Sequence, residues 1–131
     1  FEIAYGDVVS AVIDGGARLL TVQTNNATYG GTPQPEQQLA ISRLRAIEFG
    51  RTVTVAATSG ISAIIDPSGT VHDRIDESEV GWRVAEVALR GGNTPAVTIG
   101  RAVELALCLI GLAALVVSVI RSARRRRRPI A

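Results

Sequence analysis

Between positions 37 and 63 the spacing of apolar residues changes from helical to strand-like, and the rest of the chain is organised around this stretch. Ala40, Ile41, Leu44, Ile47 and Glu48 fall on one side of a helix at i, i+3 and i+4 spacing, which predicts that this face lies on a sheet. Pro35 stands where a first helical residue belongs, Glu36 puts a favourable charge in the first turn, and Gly50 can take the left-handed conformation that ends a helix. Thr52 to Ala57 then reads as a buried strand. Thr58-Ser59-Gly60, polar and glycine-containing between two apolar runs, marks a turn at a strand end, where α/β proteins place their ligands.

On the amino-terminal side, Phe1 to Tyr5 reads as the exit from a strand, and a helix follows from about Asp7, a good N-cap residue, to Ile13. Gly15-Gly16 closes it. Val8, Val9, Val12 and Ile13 form its apolar face, and Leu19 to Val22 make a short buried strand, so the unit is strand, helix, strand. Thr24 to Pro35, rich in Thr, Asn, Gly and Pro, is a loop at that strand's carboxyl end, equally suited to binding residues and to a solvated connection. Beyond the central stretch, Ile61 to Ile65 and Thr70 to Ile75 flank Asp66-Pro67-Ser68-Gly69, the residue order of a type I turn, and predict a hairpin with His72 on its surface. Asp73 to Glu79 is an acidic, solvated loop. Val80, Trp82 and Val84 alternate and predict a further strand ending near Leu89.

Ala102 to Ile120 is almost wholly apolar and predicts a transmembrane helix, its 19 positions reaching ~28 Å against a hydrocarbon core of ~30 Å. A buried core helix, the alternative, rarely lacks a polar stripe. Arg121 and Arg124 to Arg128 follow directly, and Arg next to a span marks the cytoplasmic side. A basic nucleic-acid arm is the weaker account of the same run. The expected organisation is a domain over 1–90, a linker over 91–101, the span over 102–120 and an Arg-rich cytoplasmic tail over 121–131, with the domain outside the cytoplasm.

Charge supports that division: up to Arg101 there are 8 Arg and 11 acids, net −3, and after it 6 Arg and the single Glu104, net +5. The basic balance belongs to the tail and says nothing of nucleic-acid binding by the domain, so no nucleic-acid partner is expected. One Cys excludes an internal disulfide and multi-cysteine metal motifs, and with one His as well neither metal nor other cofactor is expected. Cys108 sits in the middle of the span as an apolar packing residue. The chain has no Lys and no Met and starts with Phe, and it is read as a fragment.

Phe1-Glu2-Ile3, the segment Thr24 to Gly30, Gln37 with Arg43, Arg45, Ala46, Glu48 and Arg51, and the segment Thr58 to Ala63 together resemble the apolipoprotein N-acyltransferases. Thr94-Pro95 with Gly100 resembles the segment by which that family leaves its outer domain for its last span. The resemblance covers essentially the whole chain. It implies an α/β fold, the carboxyl-terminal half of a nitrilase-like αββα sandwich followed by one transmembrane helix. It also implies a bacterial cell-membrane protein, multi-pass at full length.

The activity implied is acyl transfer from a phospholipid donor, through a cysteine thioester, to the diacylglyceryl-cysteine of an apolipoprotein acceptor. The family's nucleophile precedes an aromatic residue, Glu and Ile, which places it just before Phe1, with the general-base Glu and catalytic Lys further upstream. Phe1 then lends a backbone N–H to the oxyanion, and Glu2 is the carboxylate beside the reacting centre. Thr24, Asn25 and Tyr29 match a loop bordering the lipid cleft, although Thr28-Tyr29 stands where the family often has Trp-Phe. Arg43, Arg45, Glu48 and Arg51 read as a structural ion-pair set. Two other readings share the fold: a nitrilase-type amidase, which would not need the span, and a non-catalytic membrane-anchored binding domain.

Overall fold

The structure, a computed structural model, describes residues 2–126. Leu20–Thr24 (β1), Val53–Ala57 (β2), Ser62–Ile65 (β3) and Val71–Ile75 (β4) form one sheet in the order β1-β2-β3-β4. β1 and β2 are parallel because the 16-residue helix Gln34–Phe49 (α2) carries the chain back between them, whereas short turns make β2-β3-β4 antiparallel. Leu20, Val53, Val55, Ala63 and Ile65 are buried on one face and share their core with Val9 and Ile13 of the helix Gly6–Asp14 (α1) and with Leu39, Ala46 and Phe49 of α2. On the other face Thr21 pairs with Thr54, hydroxyl to hydroxyl at 3.0 Å, and Gln23 and Ala56 are exposed. Helices on one face and an open second face are what half of an αββα sandwich requires.

The predicted hairpin forms. Gly69 N–H donates to the Asp66 carbonyl at 2.9 Å, and the Asp66 carboxylate accepts from Ser68 N–H at 2.8 Å and Thr70 N–H at 3.1 Å. The end of α2 also matches expectation, with Gly50 at φ +61. The start of α1 shifts by a residue or so: Tyr5 is the N-cap, and Asp7 lies in the first turn, where its charge still opposes the helix dipole.

The face of α2 turned to the sheet is only partly the predicted one: Ile41 packs against the core, but most of the buried stripe lies elsewhere. Pro35, Gln38, Leu39, Ser42, Ala46 and Phe49 are buried, while Leu44 and Ile47 are 57% and 52% exposed and Ala40 is exposed too. The buried stripe keeps helical spacing but uses small and polar residues, which a ranking by hydrophobicity passes over. Ala46, with no exposure, allows close approach to the sheet, and Ser42 hides its hydroxyl by donating to the Gln38 carbonyl at 2.9 Å. Ile47 instead covers the hairpin turn, where a Cβ on Gly69 would lie 2.7 Å from its Cδ1.

The strand expected over Val80, Trp82 and Val84 is also absent: this segment pairs with no strand among the described residues, and the three side chains are 104%, 79% and 80% exposed. Alternation gives a segment two faces but no partner. Main-chain grips hold it instead, Arg18 Nη2 donating to the Leu89 carbonyl at 2.8 Å and Arg51 Nη2 to that of Gly92 at 2.9 Å.

The arginines expected as an ion-pair set act mostly on carbonyl groups. Arg45 does pair with Glu48, but Arg43 Nε donates to the Gly69 carbonyl at 2.8 Å, and the buried Arg51 also holds the carbonyls of Ala17 and Phe49, each at 3.1 Å.

The last helix, Pro95–Arg126 (α3), starts inside the stretch expected to be linker. Pro95 suits the first helical position, and Thr94 caps the turn: its hydroxyl accepts from Val97 N–H at 3.3 Å and donates to the Glu48 carbonyl. Val97 packs on the core of the first compact unit, which ends there, and Thr98 opens a second. From Pro95 to Ser122 α3 is long and apolar enough to cross a membrane, 28 residues or ~42 Å at 1.5 Å each. Residues 127–131 of the expected cytoplasmic tail lie outside the described residues.

Candidate active site

Parallel β1 and β2 end side by side at Thr24 and Ala57, and the loop after one is stitched to the turn after the other. Thr58 N–H donates to the Thr24 carbonyl and Asn26 N–H to the Ser59 carbonyl, each at 3.0 Å. Asn25 Oδ1 accepts from Ala27 N–H at 3.0 Å, an Asx turn, and from the Ser59 hydroxyl at 2.5 Å. Beneath these lie two buried amides: Asn26 Nδ2 donates to Gln38 Oε1 at 2.6 Å, and Gln38 Nε2 donates to the Thr24 hydroxyl at 3.1 Å. Gly60 has to be glycine at this junction, since its φ is +109 and a Cβ there would lie 2.6 Å from Asn26 Nδ2.

Of the three residues expected to border a lipid cleft, Thr24 and Asn25 thus spend their polar atoms on the loop's own architecture. Tyr29, in the 3-10 turn Ala27–Tyr29, is 41% exposed. Of the two residues that organise the loop, Asn26 stood within the segment Thr24 to Gly30 but was given no role, and Gln38 was not singled out from sequence. Their signal was present in Gln38, a polar residue one position before Leu39 on the stripe that turns out to be buried.

Glu2 opens the 3-10 turn Glu2–Ala4, and Phe1 lies outside the described residues. The turn is anchored on two sides. Ile3 is buried in the core, and Arg45 donates from Nε to the Ile3 carbonyl at 3.0 Å and from Nη2 to the Ala4 carbonyl at 2.7 Å. A groove of about 200 Å³ lined by Glu2, Ile3, Val8, Val9, Val12 and residues 19–23 runs beside β1, the strand that leads into the stitched loop at Thr24. Val8 and Val12, expected in the core, are 41% and 49% exposed in this groove. Larger hollows of about 390 and 290 Å³ lie against segment 81–90 and contain none of the expected site residues. Cys108, the one thiol, is on α3.

The chain matches the carbon-nitrogen hydrolase family over residues 1–93. Apolipoprotein N-acyltransferases are among its relatives: that of Mycolicibacterium smegmatis is 33% identical over 95% of the chain and 21% of the relative. Those of Ralstonia nicotianae and Nitrosomonas europaea are 37% and 32% identical, each over 97% of the chain, and 24% and 25% of their own lengths are covered. The chain therefore spans about a fifth to a quarter of the curated relatives it matches. With a four-stranded mixed sheet, helices on one face and a family match across both, this chain belongs to the carbon-nitrogen hydrolase family.

Proposed function

We infer that the complete polypeptide carrying this chain is a membrane N-acyltransferase that completes the acylation of bacterial lipoproteins. The observation that carries this reading is the extent of the likeness: it runs past residue 93, where the hydrolase match ends, through the apolar helix to 95–97% of the chain. A hydrolytic amidase of the same family has no need of that helix.

The chemistry is two displacements at one carbonyl carbon. A cysteine thiolate directly before Phe1 attacks the ester carbonyl of a phospholipid, the C–O bond breaks, and the departing lysophospholipid oxygen takes up a proton. The lipoprotein's α-amino nitrogen then attacks the thioester and gives up a proton to the upstream general-base Glu, the C–S bond breaks, and an amide and a regenerated thiolate result. Glu2, held on the anchored turn, orients the upstream lysine or the incoming amine, and the Phe1 N–H donates to the oxyanion. Tyr29, exposed on the loop after β1, contacts lipid, while Thr24 and Asn25 shape that loop. By itself the 131-residue chain is inactive, because its only thiol is on the apolar helix and it has no Lys.

The test is to incubate the complete protein, in lipid vesicles, with a diacylglyceryl peptide and to follow the triacylated product by mass. Glu2→Gln is expected to lower turnover at least ~10-fold with little change in thermal midpoint. Hydrolysis of small amides without acyl transfer would favour the amidase, and neither activity would favour a binding domain.

A further inference from the structure

Among the described residues Arg18, Arg43, Arg45, Arg51 and Arg83 donate to main-chain carbonyls, and of these Arg45 reaches the turn that bears Glu2. Arg45 meets the carbonyls of Ile3 and Ala4 with Nε and Nη2, and its Nη1 pairs with Glu48 on the same helix. Arg43 grips the hairpin at Gly69, and Arg51 grips Ala17, Phe49 and Gly92. The Arg45 side chain is only 13% exposed, and a Cβ added at Gly6 would stand 3.2 Å from its Nη1, so the chain after the turn passes close over the guanidinium. Two adjacent carbonyls against one edge of a planar fork fix both the position and the direction of that peptide segment. Glu48 fixes the fork's rotation.

We propose that Arg45 is a positioning residue for acyl transfer: by gripping the two carbonyls that follow Glu2, it holds the Glu2 carboxylate and the reacting centre beside it in register. This rests on the reading that the nucleophile directly precedes Phe1. The grip lies one and two residues from Glu2, so losing it moves backbone within reach of the reaction, where a shift of ~1 Å can cost ~10²-fold in rate. Lysine offers a point charge and cannot bind both carbonyls from one planar edge.

The experiment measures kcat and peptide KM for the complete protein in phospholipid vesicles with a diacylglyceryl peptide acceptor, for wild type, Arg45→Gln, Arg45→Lys, Glu48→Gln and the control Arg43→Gln. Arg45→Gln is expected to lower kcat ~10- to 100-fold with KM within ~2-fold, and Arg45→Lys to fall between it and wild type. Arg43→Gln removes a comparable main-chain grip elsewhere on α2, and kcat is expected to stay within ~2-fold even where its thermal midpoint falls as far. If kcat of Arg45→Gln matches that of Arg43→Gln, or the whole loss is in KM, the proposal is overturned. Should Arg45→Gln not accumulate, unchanged kcat in both Arg45→Lys and Glu48→Gln overturns it equally. Wild type without acyl transfer overturns the acyltransferase reading and this proposal with it, whereas acyl transfer that survives alanine at the position before Phe1 overturns the placement of the nucleophile there and, with it, this proposal. An active, cysteine-dependent wild type with kcat intact in Arg45→Gln overturns the positioning role alone.

Discussion

At the residue scale the buried amides Asn26 and Gln38 show how a polar contact can organise a loop. Each is nearly inaccessible; Asn26 Nδ2 donates to Gln38 Oε1, and the Thr24 hydroxyl meets both Asn26 Oδ1 and Gln38 Nε2, so their desolvation is offset by hydrogen bonds within the loop. Gln38→Leu is expected to cost about 1–3 kcal/mol in chemical denaturation, because it leaves Asn26 Nδ2 buried without its acceptor. The Asn26→Leu, Gln38→Leu double variant should lose less than the sum of the singles, and additive losses would mean the two amides are not coupled. A second residue-scale expectation concerns acid. The Ser68 hydroxyl, then His72, hold the Asp66 carboxyl well below the ordinary carboxylate range. A carboxyl depressed in the folded state stabilises above its unfolded value of ~3.9, and the contribution is lost as pH falls through the folded value. The difference in thermal midpoint between wild type and Asp66→Asn should therefore be largest above pH ~4 and shrink in stronger acid.

At the scale of elements, α2 carries the clearest lesson. Its start, to within a residue, and its end were legible in Pro35, Glu36 and Gly50, because caps and charges act locally along the chain. The buried side was not legible, because Ser42 and Gln38 become acceptable in the interior only once a neighbouring carbonyl or amide meets them. Ala46→Leu tests the observed side. With no exposure at Ala46, the extra volume should cost about 1–3 kcal/mol in denaturation, whereas a change near zero would return the sheet-facing role to the stripe of Leu44 and Ile47. The segment with Trp82 makes the matching point for strands, since period-2 alternation describes a two-sided segment but supplies no ladder partner.

At the scale of the whole molecule, the domain ahead of α3 is expected on the extracytoplasmic side and the Arg run beyond it in the cytoplasm, from the arginine asymmetry around an apolar helix. In the complete protein, Ser68→Cys should react with an impermeant thiol reagent in intact cells and Ser122→Cys should not. The reverse pattern would sink this orientation. The open second face of the sheet, with Thr21, Gln23, Thr54 and Ala56, is consistent with a domain whose other sheet packs there, as the family's sandwich requires.

By itself the sequence determined the elements with local causes: the helix over α2, the Asp66–Gly69 turn, and an apolar stretch long enough for a membrane. Each rests on spacing, on a residue that must take a left-handed or capped conformation, or on uninterrupted hydrophobicity, and none needs a distant partner. Only the tertiary structure decided which side of α2 is buried, that Val80 to Val84 pairs with nothing described, and that Arg45 reaches back to the carbonyls beside Glu2. The last of these depends on groups 41 and 42 residues apart meeting with matched donors and acceptors. Such matching is a property of the folded arrangement, not of any window along the chain.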